Sequence, residues 1–234
     1  MVKYLKWDSI FFGIKVGRLK SAHSNGFRFL EKQLREAQKQ GYQCLYLETP
    51  ISAMGWVPKL STRGFILVDL KTTLRKTRLR AYRISHSLQD DRQERHRPFL
   101  ESIACQISSM SRFTVDENFS AKSKDLYRVW TVKSFFQAYC DQLYYYLKDN
   151  RPAGFVTLRI KDGVPFIDLL GVDRPYRRLG VGAELLKASE TWAVRQGFKE
   201  LRVVTQGGNL PALQFYQENG FVTCDVTLFF HKWL

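Results

Sequence analysis

One turn that contains glycine and arginine has the spacing of a phosphate-binding loop. Apolar residues 169–172 lead into a turn with Arg177, then Gly180 and Gly182, and a helix-like segment follows. Glycines let the backbone approach a bound group, and the free N–H groups at a helix N-terminus attract anions. The turn matches neither a P-loop nor the dinucleotide fingerprint. It therefore predicts a pyrophosphate site, with a structural turn carrying surface arginines as the alternative.

A lone acid marks the strand-like segment just before this turn. Asp168 is the only charged residue among residues 166–170. A carboxylate in apolar surroundings is costly unless it is paired or takes part in chemistry. Asp168 is therefore either a structural acid with a partner or a general base that could also orient an amine.

Histidines and cysteines give no sign of a metal centre. The four histidines, at positions 23, 86, 96 and 231, have neither triad nor metal-ligand spacing, and we assign them no role. The four cysteines, Cys44, Cys105, Cys140 and Cys224, are scattered, which predicts no metal site or disulfide framework and favours a reducing compartment.

The elements that must position these residues follow from hydrophobic periodicity. The chain divides into residues 1–75, a basic connector over 76–100, and a longer α/β pattern over 101–234. Predicted helices cover residues 27–40, 126–146, 183–195 and 211–218; predicted strands cover 44–48, 65–70, 154–160, 165–172, 200–205 and 222–231; residues 111–116 are predicted to form a loop. The pattern predicts an α/β fold, equally describable as α+β.

Residues 27–74 and 183–230 resemble each other at an offset of 156 residues. Gly41 corresponds to Gly197, Leu45 to Leu201, and the pair Gly64-Phe65 to Gly220-Phe221, without a gap. This favours two copies of one unit with the order helix, strand, helix, strand, and chance similarity is the alternative. The first copy lacks the glycine-rich turn and has Leu60 where the second has Tyr216, so we expect it to serve packing.

Composition narrows the class of protein. The 234 residues are 44% hydrophobic and carry a net charge of +15, with basic residues concentrated over 71–97. A basic surface attracts phosphates of any origin. Because no nucleic-acid-binding module accompanies the charge, we expect a solvated surface and no nucleic-acid partner. The chain shows no apolar stretch of membrane-spanning length and no export signal, so we expect a cytoplasmic protein without an integral membrane segment.

The turn and its surroundings resemble the GNAT superfamily of N-acetyltransferases. The Arg177-x-x-Gly180-x-Gly182 motif resembles its acetyl-CoA loop between the fourth strand and third helix, and residues 197–205 resemble its fifth strand. The resemblance implies a central mixed sheet that is splayed where the cosubstrate acetyl-CoA inserts. Backbone groups at Leu170 and Val172 would pair with the pantetheine arm. The remaining implied cofactor residues are Arg177, Arg178, Leu179, Gly180, Val181, Gly182, Ala183 and Asn209.

The resemblance also implies a proton donor. Tyr216 lies where the superfamily places a tyrosine that protonates the departing thiolate. A phenol with a pKa near 10 keeps its proton at neutral pH and can donate it. The alternative for Tyr216 is a core aromatic on a helix.

A narrower resemblance concerns the acceptor. Residues 7–13, 111–113, 127–130 and 201–209 resemble the TDP-fucosamine N-acetyltransferase family, in which a partial GNAT-like unit precedes the catalytic one. This implies direct acetyl transfer in a ternary complex to the amino group of a nucleotide-linked aminodeoxysugar, in a pocket that involves Arg112, Phe113, Tyr127 and Trp130. An arginine can hold a diphosphate and an aromatic ring can stack on a base or sugar; for the aromatic residues, helix core is the alternative. Another small amine, a protein N-terminus or an inactive binding module are the competing functions, and a homodimer stays open.

Overall fold

A computed structural model describes residues 2–20, 26–136 and 139–234, and His23 lies outside these ranges. The strands are β1 (Lys3–Tyr4), β2 (Val16–Arg18), β3 (Cys44–Pro50), β4 (Phe65–Lys76), β5 (Leu88–Gln89), β6 (Gln142–Lys148), β7 (Arg151–Lys161), β8 (Val164–Val172), β9 (Leu201–Gln206) and β10 (Val222–Trp233). The helices are α1 (Lys6–Phe12), α2 (Gly26–Lys39), α3 (Val57–Ser61), α4 (Arg97–Ile107), α5 (Arg112–Val115), α6 (Glu117–Ser120), α7 (Ser123–Phe135), α8 (Val181–Arg195) and α9 (Leu210–Glu218).

The described strands form a mixed sheet in the order β1-β2-β3-β10-β4-β9-β8-β7-β6-β5. Successive residues of a strand point to opposite faces, so Phe229 packs with α4 to α7 while Phe230 packs with α2 and α3. In the same way, Phe155 and Val156 of β7 divide between the α4–α7 side and the side of α8 and α9. The predicted α/β class with a central mixed sheet flanked by helices is confirmed.

Two predicted elements are wrong. Residues 126–146 are not one helix, because α7 ends at Phe135 and β6 begins at Gln142; residues 137–138 lie outside the described ranges. Leu143 and Tyr145 are buried while Tyr144 and Tyr146 are less so, a period of two that suits aromatic residues on a pleated strand. Residues 111–116 are not a loop, because the Ser111 hydroxyl accepts the N–H of Phe113 at 3.3 Å and caps the short helix α5.

The sheet opens between β8 and β9. These parallel strands pair only where Phe166 and Ile167 lie beside Arg202 and Val203, and towards their C-terminal ends they separate. A bulge in β8 leaves Asp168 without a partner on β7, since Thr157 pairs with Leu169 and Leu158 with Ile167. The separation creates a cleft in the sheet, as expected for a splayed fold.

The two similar units, residues 27–74 and 183–230, exchange their last strands. Helix α2, strand β3, the helical turns over 51–61 and β4 follow the same order as α8, β9, α9 and β10. However, β4 pairs with β9 of the second unit, and β10 lies between β3 and β4 of the first. Each unit thus completes its part of the sheet with the other's closing strand.

The exchange has an approximate twofold symmetry. Lys71 pairs with Gln206 on β9 as Thr227 pairs with Pro50 on β3, and the residues in corresponding positions are 156 apart. Lys71 and Thr227 also pair with each other, so the pseudo-axis passes between them. Each of these strands has one bulged residue, Val68 in β4 and Cys224 in β10, and the two are also 156 positions apart.

The basic connector is bound to the second unit. Lys76 forms an ion pair of 2.6 Å with the buried Glu190 of α8, and the N–H of Tyr82 donates to the Thr191 hydroxyl at 3.0 Å. Arg92 donates to the carbonyl of Phe135 at the end of α7. Part of the segment's charge therefore fastens helices. Among the described helices, none has the length and apolar character to cross a membrane.

Candidate active site

The glycine turn exposes unpaired backbone donors at the start of α8. Gly180 is the N-cap with φ +81°, Arg178 has φ +61°, and no side chain caps the helix. The first helical bond there runs from the N–H of Glu184 to the carbonyl of Gly180 at 3.1 Å. The N–H groups of Val181, Gly182 and Ala183 consequently have no acceptor among the described residues. The helix dipole adds positive charge at this point, which makes the turn an anion site.

The segment that leads into the glycine turn is fixed by Gln106, a residue that sequence reasoning missed. Gln106 at the end of α4 donates to the Asp173 carboxylate at 2.7 Å and accepts the N–H of Arg174 at 3.2 Å. Arg177 donates from Nε to the carbonyl of Val172 at 3.0 Å. Arg177 therefore also shapes the loop, besides placing charge near it. No sequence signal pointed to Gln106, because its partners lie 67 and 68 positions away.

The side chains of the turn are divided between interior and solvent. Val181 is buried and Leu179 is 56% exposed. A Cβ atom added to Gly182 would lie 3.3 Å from the Phe215 ring of α9. The glycine thus permits close packing of α8 on α9, and only the backbone N–H groups of these residues can face an anion.

A cleft leads from the opening between β8 and β9 through the sheet. Its walls come from β8, β9, α4, α7 and α9, namely Ile107, Tyr127, Ile167, Asp168, Leu169, Leu170, Val203, Val204, Thr205, Gln206, Asn209, Ala212 and Tyr216. Tyr127 and Ile107 pack in the cluster on one face of the sheet, and Tyr216 packs in the cluster on the other. Groups on both faces can therefore meet in the cleft.

Tyr216 has an available hydroxyl. Its ring is 5% exposed and lies against Phe215 and Phe221. The hydroxyl has no hydrogen-bond partner among the described residues, and Tyr216 lines the cleft. Burial raises the pKa of this phenol above its ordinary value, so it holds its proton at neutral pH. The geometry satisfies both the packing and the proton-donor interpretation of this residue.

Asn209 and Asp168 both have structural partners. Asn209 caps α9, accepting the N–H of Ala212 at 3.3 Å and donating to the Thr205 hydroxyl at 3.4 Å. Asp168, in the bulge, pairs with Arg159 at 2.6 Å and also with Lys161. Its carboxylate thus meets the expectation for a partnered acid, although it also borders the cleft.

The four residues expected in the acceptor pocket separate into two groups. Tyr127 lines the cleft. Trp130 is partly exposed and lies beside Tyr127, with the two ring centroids 5.2 Å apart. Phe113 is 1% exposed, so it is a core residue. The Arg112 guanidinium lies over the rings of Phe113 and Phe229, at 4.1 Å and 4.4 Å. Phe113 therefore contributes by supporting Arg112.

Asp69 on β4 is a candidate that sequence reasoning missed. It lies opposite Phe229 on β10, so its side chain faces α5 and α7. Beside it, Gly207 directly after β9 donates its N–H to the carbonyl of Leu70 at 2.7 Å, and a Cβ on Gly207 would collide with Leu70. This close crossing brings Asp69 to the end of β9, where Thr205 and Gln206 line the cleft.

The electrostatics single out Asp69. Burial raises its pKa to about 6, against the opposing effect of the Arg112 charge. Its negative charge in turn helps to raise the pKa of Tyr127, for which burial is the main cause. Asp69 is the only acid among residues 65–70, the same signal that drew attention to Asp168.

His231 also has a partner that its spacing did not reveal. Its Nδ1 lies 2.6 Å from the Asp116 carboxylate, which also accepts the Trp233 indole N–H at 3.1 Å. The His231 side chain is fully buried, and burial lowers its pKa. The pair fastens β10 to the segment between α5 and α6. Within the described ranges, no group of three or more His, Cys, Asp or Glu side chains could hold a metal ion.

Comparisons with known proteins agree with this geometry. Residues 107–221 match the model of the Acetyltransferase (GNAT) family. The chain is 27% identical over 225 residues to a dTDP-fucosamine acetyltransferase of Escherichia coli O6:H1, covering 94% of this chain and 92% of that protein.

Two solved structures share the fold. A functionally unknown conserved protein from Staphylococcus epidermidis has a TM-score of 0.63 at 14% identity, covering 94% of this chain and 84% of its own. A GCN5-related N-acetyltransferase from Sphaerobacter thermophilus has a TM-score of 0.62 at 13% identity, covering 99% and 76%. With the anion site and the cleft in the splayed sheet, the family match identifies residues 107–221 as a GNAT-family domain, and the chain as an acetyl-CoA-dependent N-acetyltransferase.

Proposed function

We propose that the protein transfers the acetyl group of acetyl-CoA to the amino group of a nucleotide-linked aminodeoxysugar. The observation that carries the proposal is a cleft lined by Asp168, Tyr127 and Tyr216, with the anion site at the start of α8 after β8, and with Asp69 beside the end of β9. The similarity of nearly the whole chain to a dTDP-fucosamine acetyltransferase supports the same acceptor class. The presence of Gly180, Gly182, Asn209 and Tyr216 argues against an inactive binding module.

The residues of the turn and cleft fit acetyl-CoA. The N–H groups of Val181, Gly182 and Ala183, with Arg177 and Arg178 nearby, would hold the pyrophosphate. Backbone groups at Leu170 and Val172, on the β8 edge that β9 leaves free, would pair with the pantetheine arm. Acetyl-CoA supplies the thioester carbonyl that an amine attacks.

Asp69 and Tyr216 would move the protons. The acceptor arrives as an ammonium ion, and the Asp69 carboxylate takes one proton to give the neutral amine. The amine attacks the thioester carbonyl, the C–N bond forms and the C–S bond breaks. Tyr216 gives its phenolic proton to the departing thiolate, and the second excess proton on nitrogen restores the phenol. Overall, one proton is released for each amide formed.

Mass spectrometry of acceptors incubated with acetyl-CoA tests this proposal. We expect a mass gain of one acetyl group on a TDP-linked aminodeoxysugar, and much less product with simple amines or peptide N-termini. Preferred acetylation of a peptide or a free amine would overturn the acceptor class while leaving the enzyme class intact. A thermal shift with acetyl-CoA, compared between wild type and Gly180→Val, checks that the cosubstrate binds at the turn.

A further inference from the structure

A row of aromatic rings leads away from the cleft. Tyr127 in the cleft wall contacts Trp130, whose centroid is 6.1 Å from that of Trp7 on α1. Trp7 in turn stacks on Phe11 at 5.2 Å with an interplanar angle of 7°. Trp130, Trp7 and Phe11 are all partly exposed. The row thus offers aromatic surface to solvent next to the mouth of the cleft.

Cations accompany this row. The Lys133 ammonium lies 5.1 Å from the Trp7 ring centroid and 5.0 Å from that of Tyr139, and no carboxylate among the described residues lies within ion-pair distance of it. Tyr139 also lies under the Arg159 guanidinium at 5.2 Å, and Arg159 binds Asp168 in the cleft wall. Tyr139 therefore lies between two cations, Lys133 at the aromatic row and Arg159, which is paired with Asp168, at the cleft wall. Lys133 is free to pair with an anion.

We infer that the rings of Trp7 and Trp130 form the subsite for the nucleobase of the acceptor, and that Lys133 binds its diphosphate. The inference rests on the proposed function, which sets the amine in the cleft near Asp69. An elongated acceptor with an amine at one end and a planar ring at the other can place the amine in the cleft and the ring on the aromatic row that begins at Tyr127. Its anionic linker would then lie within reach of Lys133, which is beside Trp7. Base stacking on aromatic side chains needs a partly exposed ring and tolerates different bases.

Calorimetry with TDP, thymidine and inorganic phosphate on the full chain tests the subsite. We expect TDP to bind wild type without acetyl-CoA. Trp7→Leu should weaken both TDP and thymidine about 5- to 100-fold, the loss of one base stack. Lys133→Gln should weaken TDP about tenfold, the loss of one charge-assisted contact, and leave thymidine unchanged.

Two matched variants serve as controls. Trp56→Leu removes an indole that packs with Phe27 in another cluster, and Lys124→Gln removes the same charge from α7. Both should bind TDP like wild type, and all variants should keep their affinity for acetyl-CoA. If TDP does not bind wild type, binds as inorganic phosphate does, or binds the Trp7 and Lys133 variants unchanged, the subsite is wrong. Acetylation of a TDP-aminosugar in that case would leave the proposed function standing, and absence of acetylation would remove both.

Discussion

At Tyr216 a substitution can remove the proposed proton donor, the hydroxyl, and leave the packing of the ring intact. Tyr216→Phe keeps the ring against Phe215 and Phe221 and removes a hydroxyl that has no partner among the described residues. General acid catalysis is worth ~10²–10⁴-fold in rate, so we expect kcat to fall by about that factor while KM for acetyl-CoA changes little. Steady-state kinetics with a melting temperature measured alongside check this. An unchanged kcat would make Tyr216 a packing residue, and a raised KM alone would make it a binding contact.

The raised pKa of Asp69 predicts a fall in activity on the acidic side of the pH profile. Because its folded pKa is raised from 3.8 to about 6, the protonated form is favoured in the fold, and the carboxylate needed as a base is lost as the pH falls through about 6. The ionisable groups that face it are Arg112, Lys71 and Tyr127. We expect kcat/KM of wild type to fall below about pH 6. In Asp69→Asn it should be ~10²–10⁴-fold lower at pH 8 and show no limb near 6.

The symmetry supplies a control for this experiment. Asp225 stands 156 positions after Asp69 and is exposed, and among the described residues only the Thr227 hydroxyl donates to its carboxylate. Asp225→Asn should behave like wild type at every pH. A wild-type limb near 6 that persists in Asp69→Asn would assign the proton to another group.

The sequence anticipates residues whose contacts are local and misses those whose contacts span the chain. Gly180 and Gly182 could be recognised because a helix N-terminus needs only its own neighbours. Asp69 could not be placed, since it reaches the cleft only through the pairing of β4 with β9 and its crossing at Gly207. Gln106 likewise acts across the fold. The roles of these residues remain predictions until they are tested.

Among the elements, the two ends of α8 allow the effect of a substitution on anion binding to be distinguished from its effect on backbone strain. Gly180 and Gly197 flank the helix with φ +81° and +82°, and an added Cβ would meet no atom at either site. Alanine at either position should cost roughly 1–2 kcal/mol of stability, because the left-handed conformation is unfavourable for a side chain.

Only Gly180→Ala should also weaken acetyl-CoA binding, because relief of the left-handed conformation at residue 180 would turn a neighbouring N–H of the turn away from the pyrophosphate. We expect a loss of about 10- to 100-fold, the effect of one hydrogen bond to a charged group. Calorimetry and thermal melts of both variants measure the two effects separately. Equal acetyl-CoA affinities in Gly180→Ala and Gly197→Ala would remove the turn from the anion site.

The boundary between α7 and β6 shows where periodicity fails. Aromatic residues over 127–146 are dense enough to satisfy a helical and an alternating pattern at once, so the prediction extended the helix too far. The pairing of β6 with β7 decides the matter, because Leu143 and Tyr145 gain buried positions beside Thr157 and Phe155. Tertiary pairing therefore overrode a local pattern that was ambiguous.

For the whole molecule, the offset of 156 residues anticipated the order of elements but not the exchange of strands. A closing strand that pairs within its own unit and one that crosses over have the same sequence pattern, since both need an apolar strand after a Gly-Phe turn. The exchange is visible only in the pairing of β4 with β9 and of β10 with β3. The division into a partial first unit and a catalytic second unit stays a proposal, and the exchange makes it testable.

Splitting the chain in the connector should leave two pieces that need each other. We propose the fragments 1–78 and 79–234, which separate β4 from β9 and β10 from β3. The first loses the buried Leu228 and Phe230, and the second loses the buried Leu74 and the Lys76 partner of Glu190. Each buried apolar side chain contributes about 1.5–3 kcal/mol, so two or three of them rival the 5–15 kcal/mol of a typical domain. Each fragment also gains an unpaired strand edge.

We therefore expect neither fragment alone to melt cooperatively or to bind acetyl-CoA, and co-expression to give a one-to-one complex that does both. Size-exclusion chromatography, thermal melts and calorimetry report these properties. A competing arrangement is available to 79–234, because β10 could fold back on β9 in the register that β4 occupies. If that fragment alone is monomeric, melts cooperatively and binds acetyl-CoA, the second unit is self-sufficient. Even then, the fragment would lack Asp69, so acetyl-CoA binding without a wild-type rate would separate the folding role of β4 from its chemical one.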